Sequence, residues 1–362
     1  MKASSALRST ATRIRVASPL YKRGAFSPRS LSSSHHPSAT RFFGSSTSLS
    51  SHAAAASNNM TTGSFKYIDR SSFVDSDVAF VKPWAKVDGP GYSFKLADYE
   101  RPVENLRGQE SKFNTDNAGF AVYTYPAREK SFTDDAAVRE GYYAEVEKLL
   151  RDKLPGVKKV VLFDHTIRRR EKASPRQPVQ QVHVDQTPRA AEARVRRHLP
   201  AAEAEELLKG RYQIVNVWRP IANKASDFPL ALIDWRTTSP EDFVKVDLLY
   251  PKRQATNGVQ DDDDRGKEVL PDPTSASSTE GYEVKGETYS VAPNESHKYY
   301  YVKDMSPDEV LFIKCFDSVS QNVGGTKGLS DGTPHTAFVD PQTSPDAPGR
   351  QSIEVRALVF YE

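Results

Sequence analysis

Only two stretches of this chain space their apolar side chains as a helix would, and that limits the folds open to it. In the first, Thr133-Asp134 offers a cap. Val138, Tyr142, Val146, Leu149 and Leu150 then recur on one face until Pro155-Gly156 stops the run. The second runs from Pro188 to Lys209, is broken by Leu199-Pro200 and ends at Gly210. Elsewhere the sequence reads as short extended segments: Phe120–Tyr125, Val160–Phe163, Tyr212–Pro220, Lys298–Val302, Val310–Phe316 and Ile353–Tyr361. Phe65 to Pro126 reads otherwise as short extended pieces and loops, with a turn at Asp88-Gly-Pro-Gly91. Two helical regions among many strands predict a mainly β (α+β) chain, a sandwich or jelly roll buttressed by helices.

Residues 1–60 are set apart by charge. They carry eight Lys or Arg and no Asp or Glu, are rich in Ser and Ala, and contain no 7–15-residue apolar core. That composition predicts a disordered leader of the mitochondrial transit type, with a second start at Met60 and a cytoplasmic protein as the alternative. The remaining 302 residues suffice for a single domain over 61–362, with a surface insertion at about 251–296 that includes the acidic run Asp261–Asp264. Of the 50 basic and 47 acidic residues in the chain, 42 and 47 lie beyond the leader. The folded part is mildly acidic, which argues against nucleic acid as a partner. No apolar run reaches the ~18–20 residues of a membrane span. The single cysteine, Cys315, excludes a disulfide framework, a Cys-based zinc site and an iron–sulfur cluster, and it reads as a small core residue.

The informative short motif is Gln181-Val-His183-Val-Asp185-Gln. On a strand, residues two apart project from one face, so the imidazole and the carboxylate can meet one ion. His-x-Asp with one distant His is the facial triad that holds Fe(II) with positions left open. The distant histidine comes from a short set. His35, His36 and His52 lie in the leader, His198 stands beside Arg196 and Arg197, and His297 opens a strand. His165 follows a buried strand, and His335 precedes the C-terminal one. Behind His335 comes Arg350-Gln-Ser352-Ile-Glu-Val-Arg356. Positions 350, 352, 354 and 356 share one face of that strand, and an Arg with a Ser two residues on can hold a carboxylate. Asn216 and Arg219 lie on the Tyr212–Pro220 strand, pointing to opposite sides, and one of them is expected to touch cosubstrate or substrate. Lys314 and Asp317 read as a buried ion pair, and Arg168 to Arg170 as a charged surface loop.

Taken together, these segments resemble the Fe(II)/2-oxoglutarate oxygenase family of fungal gibberellin desaturase and aspergillic acid hydroxylase and the bacterial cephem methoxylase component. The resemblance rests on Phe163-Asp-His-Thr-Ile-Arg168, His183-Val-Asp185-Gln-Thr-Pro188, Asn216-Val-Trp-Arg-Pro-Ile221 and Tyr299-Tyr-Tyr. It extends through Ser306-Pro-Asp-Glu-Val310, Lys314-Cys-Phe-Asp-Ser318, Pro334-His335-Thr-Ala-Phe338 and Arg350 to Arg356, so it covers nearly all of the chain after the leader. It implies a double-stranded β-helix, with His183, Asp185 and His335 as iron ligands and Arg350 or Arg356 gripping 2-oxoglutarate. The activity implied is a dioxygenase using Fe(II), 2-oxoglutarate and O2 to hydroxylate or desaturate a small molecule. The reading from a different class is a non-redox metal-binding jelly-roll protein or a zinc hydrolase, which needs no dicarboxylate clamp. Methyl transfer finds no support, because no glycine-rich loop follows a strand.

Overall fold

The computed structural model describes residues 59–73, 78–82, 91–170, 177–252 and 278–362. The leader up to residue 58, most of the Asp88–Gly91 turn and the Asp261–Asp264 run lie outside the described residues. Among the described residues the chain forms fourteen strands in two sheets. They are β1 (Met60–Ile68), β2 (Ala79–Val81), β3 (Leu96–Asn105), β4 (Phe120–Thr124), β5 (Val157–Arg169), β6 (His183–Val184) and β7 (Tyr212–Pro220). The chain continues through β8 (Leu230–Ile233), β9 (Phe243–Pro251), β10 (Tyr282–Val291), β11 (Tyr299–Tyr301), β12 (Glu309–Asp317), β13 (His335–Ala337) and β14 (Gln351–Tyr361). The nine-stranded sheet has the order β1-β3-β11-β8-β13-β6-β10-β9-β2, and the five-stranded sheet β4-β12-β7-β14-β5. This is the expected jelly roll.

Both faces of the five-stranded sheet are covered, which explains why all nine residues of β7 are buried. Alternate residues of its strands go to two different cores. Ile214, Trp218, Leu311, Ile313, Leu358 and Phe360 face the other sheet. Val215, Val217, Phe312, Ile353, Val355 and Val359 face a helix. That helix begins at Asp134, whose side chain accepts from the Ala136 amide, passes through a π-helical stretch at Val138–Tyr142 and becomes α1 (Tyr143–Lys153). It buries Val138, Tyr142, Val146, Leu149 and Leu150, the face expected from the sequence. The second helical region is also as expected, split into α2 (Pro188–His198) and α3 (Ala201–Leu207) at Pro200.

Three expectations need correction. The insertion at about 251–296 is not wholly a surface excursion, because β10 lies inside it and pairs with both β9 and β6. Its Glu283–Lys285 stretch is exposed and the register shifts at Gly286, so it carries little strand patterning. The Phe65–Pro126 region holds the long β1–β3 ladder, from Met60 opposite Glu104 to Ile68 opposite Leu96. Met60, placed at the end of the leader, is therefore the first residue of β1. The strand expected at Val160–Phe163 extends to Arg169, which puts His165 within it.

The Lys314–Asp317 pair is present and fully buried, at 2.8 Å. Asp317 also accepts from Arg211 at 2.7 Å and Gln213 at 2.7 Å, and Lys314 reaches Asp116 at 3.0 Å. Burial alone pushes the Asp317 carboxyl up, but these cations outweigh it and hold it below the usual carboxylate range. Asp317→Ala leaves a buried ammonium without its main partner, so it is expected to cost about 3–5 kcal/mol of stability in urea unfolding. The double variant Lys314→Met, Asp317→Leu should recover most of that loss.

Candidate active site

His183 on β6 and His335 on β13 are direct cross-strand partners. Residues opposite each other on adjacent strands stand on the same face with Cβ atoms about 5 Å apart, and here the ring centroids are 4.5 Å apart. Asp185, two residues after His183, returns to that face. One potential ligand atom from each of His183, Asp185 and His335 lies within 4.8 Å of the others.

Each imidazole is oriented from behind. His183 Nδ1 lies 2.7 Å from the Gln181 carbonyl, and His335 Nδ1 lies 2.9 Å from the Thr333 carbonyl. A carbonyl oxygen only accepts, so Nδ1 carries a proton in both rings, and in the neutral ring it is Nε2 that offers a lone pair. Burial, reinforced by the charge of His183, pushes His335 down to about 4, so it is neutral at ordinary pH. Burial would raise Asp185, but the bond to His183 and the charge of Arg356 hold it well below the usual range. Asp185 Oδ2 accepts from Asn216 Nδ2 at 2.7 Å, while Oδ1 stands 3.4 Å from His183 Nε2. Against the pull of burial, the neighbouring Asp185 raises His183 above the ordinary imidazole value, so metal binding there displaces a proton from Nε2. Two imidazoles and one carboxylate, aimed at one point, form a donor set suited to Fe(II).

The five-stranded sheet faces this triad with rungs of polar side chains. Register places Asp164, Arg356 and Asn216 side by side on β5, β14 and β7. The next rung holds Thr166, Glu354 and Trp218, and the one beyond it places Arg168 beside Ser352. His183, Asp185, His335, Trp218, Arg350, Ser352, Glu354 and Arg356 border one cavity of about 50 Å3. The inward face expected at positions 350, 352, 354 and 356 is thus present, and Ile353, Val355, Ala357 and Val359 fill the opposite side.

The two arginines of that face differ in what surrounds them. Arg356 contacts Glu354, lies 3.0 Å from Asp164 and 3.6 Å from Asp185. Its charge is spent among carboxylates. Arg350 is 2% exposed and its guanidinium stacks 5.7 Å from the Trp218 ring. It donates from Nη1 to the Phe228 carbonyl, and its Nε has no partner among the described residues. Burial and the nearby charge of Arg168 push it down to about 9. A buried guanidinium with an unused donor, on the wall of a cavity, is a site for an anion.

The structure settles other sequence candidates differently. Arg219, offered as an alternative to Asn216, is buried on the far side of the sheet, 5.3 Å over the Tyr142 ring, because it pairs with the outward-facing Ile353. It is not in the site. His165 also faces away from the cavity and bonds Tyr143 OH at 3.0 Å. His297 is not at a strand edge in solvent; it is buried between Asp242 at 2.9 Å and Tyr67 OH at 2.9 Å. His198 is half-buried and stacks on Phe163. Arg168, expected on a surface loop, lies on β5 and lines the cavity. Sequence reasoning missed Asp164 and Thr166, although their alternation with His165 and Ile167 is the period-two signal of an extended strand. It also missed Thr333, whose hydroxyl donates to the Gly119 carbonyl at 2.5 Å and whose amide donates to the Lys314 carbonyl at 2.7 Å. Gly119 has φ +89°, and a Cβ there would stand 2.3 Å from Thr333 Oγ1.

With the geometry in place, comparison with known proteins defines the class. A family profile described as "Oxidoreductase/YMDC permease-like domain" matches residues 66–360. No helix among the described residues is long and apolar enough to cross a membrane. The chain is 31% identical over 278 residues to hydroxylase/desaturase efuI of Hormonema carpetanum, covering 72% of this chain and 83% of that protein. It is 28% identical over 308 residues to the Fe(II)/2-oxoglutarate-dependent dioxygenase nvfI of Aspergillus novofumigatus, covering 80% of this chain and 97% of that one. The solved structure of the iron and alpha-ketoglutarate-dependent endoperoxidase NvfI superposes with a TM-score of 0.67 at 25% identity, over 84% of this chain and 99% of NvfI. The chain belongs to this oxidoreductase family of fungal hydroxylase/desaturases and Fe(II)/2-oxoglutarate-dependent dioxygenases.

Cys315 lies in the inter-sheet core beneath the site, and burial, together with the charges of Asp185 and Glu354, pushes its thiol well above the ordinary value. The folded protein should therefore be inert to a thiol-specific reagent at pH 8 and release one equivalent after denaturation. Rapid reaction of the folded protein would show that the core beneath the site opens.

Proposed function

We propose that this oxygenase hydroxylates or desaturates a small organic molecule, with His183, Asp185 and His335 holding Fe(II) and Arg350, helped by Ser352, holding the distal carboxylate of 2-oxoglutarate. The carrying observation is the convergence of two imidazoles and one carboxylate on a cavity whose wall also holds a buried guanidinium with an unused donor. When bound, iron with 2-oxoglutarate and O2 supplies the oxidising chemistry that removes hydrogen from an unactivated C–H bond. The protein supplies orientation. Asn216 occupies Asp185 Oδ2 and so turns Oδ1 toward the metal position. Arg356 offsets the negative charges of Asp164, Asp185 and Glu354 within the same wall. Trp218, Leu230 and Ala337 give the cavity an apolar side against which a substrate skeleton can rest. A zinc hydrolase using the same ligands has no use for Arg350.

Metal analysis tests the triad: His183→Ala and His335→Ala should lose bound iron, and His165→Ala should keep it. Anaerobic addition of Fe(II) and 2-oxoglutarate to the native protein should give the weak visible band of the chelate. Arg350→Ala removes the charged partner of a buried carboxylate, a loss of roughly 3–5 kcal/mol, or several hundredfold and more in 2-oxoglutarate affinity. Its iron content should be unchanged. If Arg356→Ala shows that defect and Arg350→Ala does not, the clamp is at Arg356.

The acid-free composition of residues 1–60 supports mitochondrial targeting of the domain at 61–362. A fluorescent reporter fused to residues 1–60 should enter mitochondria, and a uniform cytosolic signal would favour translation from Met60.

A further inference from the structure

Beside the site a second, smaller cavity of about 10 Å3 lies behind Trp218 and Leu230, which border both. Its other walls are Leu232, Val302, Met305 and Leu311, with Ala225 and Pro229 on the far side. Every lining side chain is apolar. A water molecule needs two to four polar partners, so this space stays dry, and dry apolar spaces of this kind take up small apolar molecules instead. Ala225 and Pro229 in turn border an open groove of about 360 Å3 on the surface, rimmed by Ser226, Lys303 and Gln342. Three spaces thus stand in line from solvent to the triad, each sharing walls with the next.

The backbone around the middle space is unusual. Four non-glycine residues have positive φ among the described residues, and three of them, Ala222 (φ 66°), Phe228 (φ 44°) and Asp304 (φ 50°), lie in the two loops that enclose it. Those loops are stapled by the Ala225–Met305 bridge, with the Ala225 amide donating to the Met305 carbonyl at 2.9 Å. Strained conformations persist where the surroundings hold them, and here the strain is concentrated at the wall of an unfilled apolar space.

We propose that this line of cavities is a side passage that admits dioxygen to the metal site. The inference rests on the oxygenase reading above and extends it. Dioxygen is small and apolar, so it partitions into such a space, and picosecond-to-nanosecond rotamer motion of Leu230 is enough to let it through. The advantage is steric. The 50 Å3 cavity holding the triad is small, and organic ligands seated there close the direct route. A separate apolar route keeps the metal position supplied.

The chain has three methionines, Met1, Met60 and Met305, so methyl-labelled methionine gives a sparse spectrum. In metal-free protein under O2 pressure, the Met305 methyl, 3% exposed, should broaden at least as much as that of the half-exposed Met60. Ala225→Leu, or the milder Ala225→Val if the larger side chain unfolds the protein, should abolish that broadening. The same variant should raise the KM for O2 severalfold, with iron content and the KM for 2-oxoglutarate unchanged. A Met305 methyl that stays sharp while Met60 broadens would overturn the passage. So would an unchanged KM for O2 in a folded variant whose Met305 broadening is lost. The relaxation measurement needs neither iron nor turnover, so failure of the oxygenase reading would appear separately, as absent 2-oxoglutarate consumption.

Discussion

The site depends on the pairing of two very short strands, β6 and β13, which sets His183 opposite His335. Strands of two and three residues make few ladder bonds of their own, so their register must be held from outside. Gln181, just before β6, bridges to Lys66 on β1, and its amide donates to Ser290 on β10 at 2.6 Å. Thr333, just before β13, is tied to Gly119 and Lys314. The carbonyls that orient the two imidazoles belong to these anchored residues. Imidazole orientation is therefore inherited from the strand scaffold, and no flexible side chain intervenes.

The opposite wall solves an electrostatic problem. Asp185 and Glu354 bring two carboxyl groups into a largely buried space, with the part-exposed Asp164 beside them, which is costly without compensation. Arg356 stands among all three, and burial still pushes Glu354 above its ordinary value. Six residues earlier on the same strand face, Arg350 lies near no such carboxylate cluster, since Asp227 is taken up by the Arg350 amide at 3.0 Å and by Arg170 at 2.7 Å. One arginine neutralises the fixed charge of the protein; the other keeps an unused donor at the cavity wall. Spacing along one strand thus separates two roles that a single residue type performs.

Much of this was legible in the sequence, for reasons that can be named. His183-x-Asp185 and the polar face of Arg350 to Arg356 follow from the two-residue period of a strand. The helix on Val138, Val146 and Leu150 follows from its 3.6-residue period. What stayed hidden depends on register between distant strands. That Arg356 sits beside Asp164 and Asn216, while Arg219 faces a helix, needs the β5–β14–β7 ladder, which no local pattern encodes. The β10 strand was hidden differently: its exposed Glu283–Lys285 stretch and Gly286 bulge imitate a loop. The leader and the acidic run were read from composition alone, and they are not among the described residues.

Trp218 ties these arrangements together. It occupies the rung beside Glu354, carries the Arg350 guanidinium near its ring, and forms the partition between the metal cavity and the dry space behind it. Arg350 also binds the carbonyl of Phe228, one of the strained residues of the enclosing loops. The proposed anion site and the proposed passage therefore share a wall. An anion bound at Arg350 would compete with the Phe228 carbonyl for the same guanidinium. On the proposed reading, the anion site at Arg350 and the passage would meet at one tryptophan and one backbone carbonyl.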